Sequence, residues 1–324
     1  MKSIFLIVAV WASALVFSMV SAQEQTIVRV DPALDRLIDP DAKLVLITDM
    51  GADGSVEGPT WRPDPKAPDG GYFLFSSRVP REIAQWSLNT DFATAYDLLS
   101  LLPDMEMDKS SSSGIALDPE GRLVICSAAT HSVVRIEKDG TTTTLAHLVN
   151  GSPLDRPNDL IINSNGDIYF TDNSRDVTGR APPAVYLIKE GRMTPIITDL
   201  VRPNGITLSP DGNVLYVNDS GPRAVYSYDI LPDGTVTNGW LLMDMGSQLQ
   251  LEGTADGLKT DSLGNIYTTG PGGLWIISPE GKLLGRIRTP ERLTNLAFGG
   301  PDGRMLFMTG HEMLFYMQVK VPGV

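Results

Sequence analysis

Cysteine and histidine are scarce in this chain of 324 residues, and their scarcity excludes several kinds of site. The single cysteine, Cys126, cannot form an intramolecular disulfide or a cysteine-rich zinc site. The three histidines, at positions 131, 147 and 311, do not have the spacing of a zinc site. The chain also lacks the G-x-S-x-G, H-E-x-x-H and P-loop motifs, so the corresponding hydrolase, metalloprotease and nucleotide sites are not indicated.

Positive charge is also in short supply. The chain has 26 Lys and Arg residues against 39 Asp and Glu residues, which gives a formal net charge of -13. Nucleic-acid binding needs a basic face to neutralise phosphates, so this composition argues against that class of partner. A mean hydropathy of -0.02 with 20% charged residues is too apolar for a disordered chain.

Long apolar runs are absent except at the amino terminus. Lys2 precedes an almost entirely apolar stretch at 4–19, and small residues at 20–22 form a plausible cleavage site. This pattern predicts a secretory signal at 1–22, cleaved after Ala22, and a secreted or periplasmic protein without a membrane span after signal removal. The alternative is an uncleaved anchor helix, although the run is shorter than the roughly 20 residues that a span prefers.

The rest of the chain contains an internal repeat that is read from its turns. An alternating apolar strand, a polar turn and a second apolar strand recur, for example as DLIINSNGDIYFTD from Asp159 and GITLSPDGNVLYVND from Gly205. Each copy carries one turn glycine, and successive turn glycines are 51, 45, 46, 52 and 39 residues apart. They are Gly70, Gly121, Gly166, Gly212, Gly264 and Gly303. The spacing indicates six units of about 50 residues, the size of a propeller blade.

Each hairpin is followed by a third apolar stretch and a weaker fourth one. This order predicts an all-β fold, a six-bladed β-propeller of four-stranded antiparallel blades, as one domain over residues 23–324. We expect the segment 43–48 to pair with the last blade and close the ring. Helical periodicity is limited to short stretches at 32–39 and 92–102.

One register of the repeat carries polar side chains in every unit. The residue just before each first strand should point across the upper opening of the propeller toward its axis. At this register the sequence has Glu57, Ser113, Asn158, Asn204, Asp256 and Asn295, hereafter the ring residues. Two carboxylates and up to three carboxamides form a set of hard oxygen ligands suited to calcium. Asn-Gly and Asp-Gly are common turn dipeptides, which would explain such a residue at a single position. A preference for turns does not explain why five of the six units carry a carboxylate or carboxamide at the same register of the repeat.

Residues that end the second strands should return to the same upper face. They include His131 and Asp172, and Arg156 falls there because it lies two residues before Asn158. An arginine beside a cation site suggests either an anionic substrate group or a structural acid as its partner.

Four phrases together resemble the regucalcin/gluconolactonase family of six-bladed propellers: RPNDLIINSNGDIYFTD, RPNGITLSPDGNVLYV, ADGLKTDSLGNIY and TNLAFGGPDGRMLFMT. The resemblance covers essentially the whole chain after residue 22. It implies a lactonase that depends on calcium, with magnesium, manganese or zinc as alternatives. The metal ligands that it implies are Glu57, Asn158, Asn204 and Asp256.

The resemblance also implies roles in catalysis and substrate binding. Asp256 would be the catalytic carboxylate, as a general base or as a nucleophile, with His131 as an alternative base. Arg156 matches a substrate-contacting arginine of sugar-lactone members, and we expect Asn158, Asp172 and Asn295 to contact the substrate as well. The expected substrate is a small lactone or ester, opened by water at a metal-polarised carbonyl.

The sequence leaves two other classes of function open. One is an arylesterase-like or strictosidine-synthase-like propeller with a different bond specificity. The other is a non-catalytic ligand-binding propeller in which a structural cation ties the blades together. The sequence does not indicate an oligomeric state.

Overall fold

Six antiparallel sheets of at least four strands, arranged as a six-bladed β-propeller, make up nearly all of the described chain. The computed structural model describes residues 27–51, 54–79, 81–106, 112–174, 178–248 and 250–324. The predicted signal at 1–22 therefore lies outside the described residues. Within these ranges, no helix has the length and apolar character needed to cross a membrane.

The blades follow the chain, and in each blade the first strand lies at one edge of the sheet. Blade 1 contains Val56–Pro63, Gly71–Ser77, Glu82–Trp86 and Ala93–Asp97. Blade 2 contains Ile115–Leu117, Leu123–Ser127, Ser132–Ile136 and Thr142–Ala146. Blade 3 contains Pro157–Ile162, Ile168–Asp172, Ala184–Lys189 and Arg192–Ile197.

The second half of the chain builds the other three blades. Blade 4 contains Pro203–Leu208, Val214–Asp219, Ala224–Ile230 and Val236–Asp244. Blade 5 contains Leu258–Thr260, Ile266–Gly270, Gly273–Ile277 and Leu283–Arg288, with Ile27–Arg29 as a fifth, outer strand. Blade 6 contains Leu293–Gly299, Met305–Gly310 and Met313–Gln318, with Val45–Asp49 as its outer strand.

The ring is closed by the amino-terminal part of the propeller. Val45–Asp49 pairs antiparallel with Met313–Gln318, which confirms the predicted pairing of this segment with the last blade. Because the outer strand of blade 6 comes from the opposite end of the sequence, opening the ring would break a complete strand ladder.

The six turn glycines that revealed the repeat all have the backbone conformation that their turns need. Their φ angles lie between 69° and 88°, in the left-handed region that side chains with a Cβ rarely adopt. The repeat could therefore be read from glycines whose positions are fixed by backbone geometry.

The hydrophobic core is divided into six clusters, each between two adjacent blades in the described part of the chain. Val124 and Cys126 of blade 2, for example, pack with Leu160 and Phe170 of blade 3. Cys126 is fully buried in this cluster, as expected of a core thiol.

Helix is confined to short pieces in the described ranges. Pro32–Arg36 forms a 3-10 helix, Leu98–Leu101 one turn of α-helix and Gly246–Gln248 a second 3-10 turn. The first part of the predicted stretch at 92–102 is instead the outer strand Ala93–Asp97. A two-stranded hairpin of Leu148–Val149 and Ser152–Pro153 precedes blade 3.

Candidate functional site

The ring residues lie close to the start of the first strands, although not immediately before them: Ser113 and Asp256 precede their strand by two residues, and the other four lie within it. Glu57, Asn158 and Asn204 are each the second residue of a first strand. In these three blades the strand register shifts at or directly after the ring position. Such an irregularity changes the direction of a side chain relative to the regular pleat. The bulges therefore allow these side chains to leave the alternating pattern of the inter-blade core.

The backbone at the ring is tied from blade to blade. The amides of Gly114, Gly205 and Gly257 donate to carbonyls of the following blade, those of Asn158 (2.6 Å), Asp256 (2.8 Å) and Thr294 (2.8 Å) respectively. These bonds show that the first strands are the inner strands, which face the axis. Backbone hydrogen bonds thus connect the inner strands at three of the six blade junctions.

Buried side chains of the second strands strengthen the same connections. The hydroxyl of Thr171 donates to the carbonyl of Asn204 (2.6 Å), and the amide of Asn218 donates to the carbonyl of Asp256 (2.7 Å). Ser76 donates to the carbonyl of Ser113 in the same manner (2.8 Å). Each of these ring residues is positioned by a donor from the preceding blade.

The glycines after the ring positions permit this close approach. A Cβ on Gly205 would lie 2.1 Å from the carbonyl oxygen of Asp256, and one on Gly257 would lie 2.1 Å from Oδ1 of Asn295. Contacts this short are not tolerated, so these two positions exclude any side chain without movement of the adjacent blade.

Acidic side chains converge at the ring. Burial raises the pKa of Glu57 well above its usual range, and the negative charges of Asp256 and Asp159 raise it further. The backbone amide of Gly58 and the side chain of Asn295 donate hydrogen bonds to Glu57 and partly oppose this effect. Three carboxylates from blades 1, 3 and 5 thus lie close enough for two of them to act on the third, with Asp159 buried and Glu57 and Asp256 partly exposed.

The carboxamide of Asn204 has a defined orientation. Its Nδ2 donates to the hydroxyl of Ser220 (2.8 Å), which in turn donates to the carbonyl of Ala255 (2.6 Å). Because the amino group is used in this chain, Oδ1 is the free end of the amide, and no described residue donates a hydrogen bond to it. Asn158 likewise makes no side-chain hydrogen bond to any described residue and is partly exposed. Both amides therefore offer an oxygen ligand.

Asn295 is buried and serves as a bridge between acidic groups. Its Nδ2 lies 3.3 Å from Oδ2 of Asp159, and its side chain also hydrogen-bonds to Glu57. Its Oδ1 accepts the backbone amide of Leu296 (2.8 Å). With 3% of its surface exposed, Asn295 contacts the acidic groups directly, and the substrate contact expected from the sequence stays a prediction.

Asp159 is a residue that sequence reasoning did not select. It follows the ring residue of blade 3, and four other blades have glycine at this place, Gly58, Gly114, Gly205 and Gly257. Asp159 is buried, with 2% of its surface exposed, and lies beside Glu57 and Asn295. The departure from glycine was the signal that could have identified it.

Asp172 is fully buried and fixes the backbone that leads into the ring. Its two carboxylate oxygens accept the amides of Asp155 and Arg156, both at 2.8 Å. Burial raises the pKa of Asp172 to about 6, although these two hydrogen bonds act in the opposite direction. Asp172 thereby positions Arg156, whose partly exposed guanidinium forms no ion pair or hydrogen bond with any residue that the structure describes.

His131 uses both ring nitrogens. Nδ1 lies 2.7 Å from the carbonyl oxygen of Asp155, and Nε2 lies 3.0 Å from Oε1 of Glu106. Its backbone has a φ of 51°, which is uncommon for a residue other than glycine. The structure therefore places the expected alternative base next to Asp155, beside the segment that Asp172 holds.

A cation at the ring would be held by the two carboxylates of Glu57 and Asp256 and the carboxamide oxygens of Asn158 and Asn204. Across the described ranges, no three His, Cys, Asp or Glu side chains form a metal-binding group, so amide oxygens would have to complete the coordination. Neutral oxygens together with a few carboxylates are typical calcium ligands. The free Oδ1 of Asn204 and the mutual repulsion of the acids both fit such an ion.

Comparison with known proteins identifies the family over most of the chain. Residues 56–312 match the family described as SMP-30/Gluconolactonase/LRE-like region. The chain is 27% identical over 320 residues to a gluconolactonase of Zymomonas mobilis, covering 92% of this chain and 87% of that protein. It is 27% identical over 259 residues to the pentonolactonase XacC of Haloferax volcanii, covering 78% of this chain and 80% of that protein.

Solved structures share the fold. A gluconolactonase of Xanthomonas campestris superposes with a TM-score of 0.76 at 25% identity, over 92% of this chain and 96% of the other. The calcium-binding protein regucalcin of Agrobacterium tumefaciens superposes with a TM-score of 0.67 at 22% identity, over 86% of this chain and 93% of the other. The six-bladed architecture, the placement of the ring residues and the match over residues 56–312 agree: the chain belongs to the SMP-30/gluconolactonase family.

Proposed function

We propose that this chain is a divalent-cation-dependent lactonase that hydrolyses sugar lactones, with calcium as its resident cation. The observation that carries the proposal is the composition of the ring. The negative charge of Asp256 raises the pKa of Glu57, and the carboxamide of Asn204 is held in one orientation by Ser220. The relatives named gluconolactonase and pentonolactonase support a lactone as the substrate class.

The residues that would hold the cation are Glu57, Asn158, Asn204 and Asp256. When bound, the cation would supply Lewis-acid polarisation of the lactone carbonyl and stabilise the negative charge that develops on its oxygen. The bridge from Ser220 to Asn204 and the donor from Asn218 to the Asp256 carbonyl fix two of these ligands before any ion binds. Such preorganisation lowers the reorganisation needed during the reaction.

Asp256 is the group that we assign to the chemical step. As a general base it would take a proton from water while the water oxygen bonds to the carbonyl carbon and the ring C–O bond breaks. As a nucleophile it would bond to the carbonyl carbon while the ring C–O bond breaks and the released ring oxygen takes up a proton, and water would then cleave the resulting anhydride. Both routes consume one water and yield the open hydroxy acid.

An oxygen-isotope experiment distinguishes the two routes. With enzyme in excess over lactone in H₂¹⁸O, direct attack by water labels the product carboxylate. Label in the side chain of Asp256 would establish the nucleophilic route, because it arises only when water attacks the anhydride at the protein carboxyl. Mass spectrometry of the peptide that contains Asp256 reads out the difference.

Arg156 is the substrate-contacting cation in this proposal. Its guanidinium is free of described partners, and Asp172 holds its backbone amide. We expect it to donate to sugar hydroxyls and to the carboxylate of the open product, for which its planar donor group is suited. Asn158, at the same face, would share this contact, while Asp172 and Asn295 would act by positioning the segments around it.

The activity test uses a panel of aldonolactones, aliphatic lactones and aryl esters, followed by acid release at constant pH. We expect aldonolactone hydrolysis that a chelator abolishes and calcium restores, and that Asp256→Asn reduces by about 10²–10⁴-fold. Asp233→Asn, in an exposed turn, is the matched control and should retain full activity. His131→Gln tests the alternative base: a loss as large as that of Asp256→Asn would move the role to His131.

Other results of the same substrate panel would indicate one of the alternative functions. Preference for aryl esters would indicate an esterase-like relative. A folded, calcium-loaded protein without any hydrolysis would indicate a ligand-binding propeller and would overturn the proposal.

We also propose export of the chain through its amino-terminal signal. The support is the charge at Lys2, the apolar run and the small residues that end at Ala22. Amino-terminal sequencing of the protein from a secreting host should give Gln23 as the first residue. A mature protein that begins at Met1 would contradict this proposal.

A further inference from the structure

A lysine approaches Asp159, one of the three carboxylates described above, from below the ring. Lys259 lies in the inner strand Leu258–Thr260 of blade 5, and its Nζ is 3.8 Å from Oδ2 of Asp159 in blade 3. The same Nζ donates to the carbonyl of Leu258 (3.0 Å). Blades 3 and 5 are not neighbours, so this ion pair crosses the central channel.

Asp159 is held from a third direction as well. Asn295 of blade 6 approaches the same Oδ2 at 3.3 Å, and the backbone amide of Leu160 donates to Oδ1 at 3.0 Å. Oδ2 of Asp159 therefore lies where blades 3, 5 and 6 meet, close to the axis. Its side chain is 3% exposed, and that of Lys259 is 20% exposed.

The position of Lys259 along the channel is shown by the cavity that it lines. It lines a cavity of ≈ 230 Å³ together with Ile161, Leu208 and the turn residues Asn163 and Asp211. These turns join the first and second strands, at the end of the blades opposite the ring. Lys259 therefore stands between the ring and the other mouth of the channel.

Charges of both signs meet at this place in the channel. The negative charges of Asp159 and Asp256 act on Glu57, and the ammonium of Lys259 pairs with Asp159. A buried carboxylate without a partner is costly, so Asp159 needs either this ammonium or another cation.

We propose that Lys259 is a charge-setting residue: it binds Asp159 below the ring, keeps that carboxylate out of the cation's ligands, and offsets one negative charge beside the cation. This inference rests on the cation site proposed above. Without Lys259 the site carries one more negative charge, and Asp159 becomes free to turn toward the ion.

The test is a double-mutant cycle of Lys259→Met, Asp159→Asn and the double variant, with Lys259→Arg as the control that keeps the charge. Met keeps most of the aliphatic stem of lysine, so packing against the lower cavity changes little. Calcium and terbium dissociation constants are measured by titration calorimetry and by terbium luminescence. Unfolding of the ion-free protein is followed in parallel.

We expect Lys259→Met to bind calcium about tenfold more tightly, because it removes a positive charge within roughly 10 Å of the ion. Binding of trivalent terbium should tighten by a larger factor. The ion-free Lys259→Met protein should unfold at lower denaturant concentration than wild type, and Asp159→Asn in the same chain should restore it. Lys259→Arg should behave as wild type in every measurement.

The outcomes separate the two proposals. If wild type binds calcium but Lys259→Met leaves both ion affinities unchanged, the role of Lys259 is refuted and the cation site stands. If Lys259→Met weakens binding, Lys259 supports the site only structurally and the inference is also refuted. If wild type binds no divalent ion, both proposals fail.

Discussion

Replacing Asp172 with asparagine tests how the backbone before Arg156 is held. The carboxylate has no exposed surface and accepts two backbone amides, at 2.8 Å each. An asparagine side chain has one carbonyl oxygen, so it can keep one of these hydrogen bonds and must lose the other. We therefore expect a higher KM for the lactone as the segment of Arg156 becomes less ordered.

The pH dependence of the unfolding free energy gives a quantitative test of the buried Asp172. Burial raises the pKa of Asp172 to about 6 from an ordinary value of 3.8. Because the folded state binds this proton more tightly than the unfolded state, the penalty is absent at low pH and complete above about pH 6. The difference between the two values corresponds to about 3 kcal/mol of unfolding free energy. About 2 kcal/mol of this develops between pH 4.5 and 7.5.

Urea unfolding of wild type and Asp172→Asn at several pH values measures this penalty directly. The asparagine does not titrate, so the unfolding free energy of wild type should fall by about 2 kcal/mol relative to the variant between pH 4.5 and 7.5. Asp219→Asn is the structural control, because Asp219 accepts the amides of Val201 (2.7 Å) and Arg202 (2.8 Å) in blade 4. A difference between wild type and Asp172→Asn that stays constant with pH would refute the reasoning.

Two further substitutions test how the ring is built. Gly257→Ala places a Cβ 2.1 Å from Oδ1 and 2.6 Å from Cα of Asn295, so blades 5 and 6 must separate, and we expect a loss of about 3 kcal/mol in urea unfolding. Gly121→Ala, at a turn with φ of 75° and open space, should cost only about 1 kcal/mol, and equal losses would contradict the steric argument. Ser220→Ala removes the partner of Asn204 and should weaken calcium binding severalfold while costing about 1–3 kcal/mol of stability. Unchanged calcium affinity in this variant would show that the orientation of Asn204 does not matter.

The blade architecture was accessible from sequence because it depends on local backbone requirements. The turn glycines need a positive φ, and they recur once per blade at readable intervals. Strand pairing within a blade is also local, so the order of turn and strand signals was sufficient. The closure by residues 43–48 followed from the need to complete the last blade.

The ring register was accessible for a related reason, since the same bulged position recurs in successive units. Asp159 was missed because its importance comes from Glu57 and Asn295, which belong to blades far away in sequence. The burial of Asp172 could not be foreseen either, because a strand-end aspartate looks solvent-exposed unless the loop that covers it is known. Contacts between blades thus decided the roles that sequence reasoning left open.

In the function proposed above, the ring binds one divalent cation through Glu57 and Asp256. The direct measurement is titration calorimetry of calcium into chelator-treated protein, for wild type, Glu57→Gln, Asp256→Asn and the exposed-turn control Asp233→Asn. We predict one ion per chain for wild type and the control, and a loss of affinity of at least about tenfold in each ring variant. Absence of binding to the folded wild type, or equal binding in all four proteins, would contradict it.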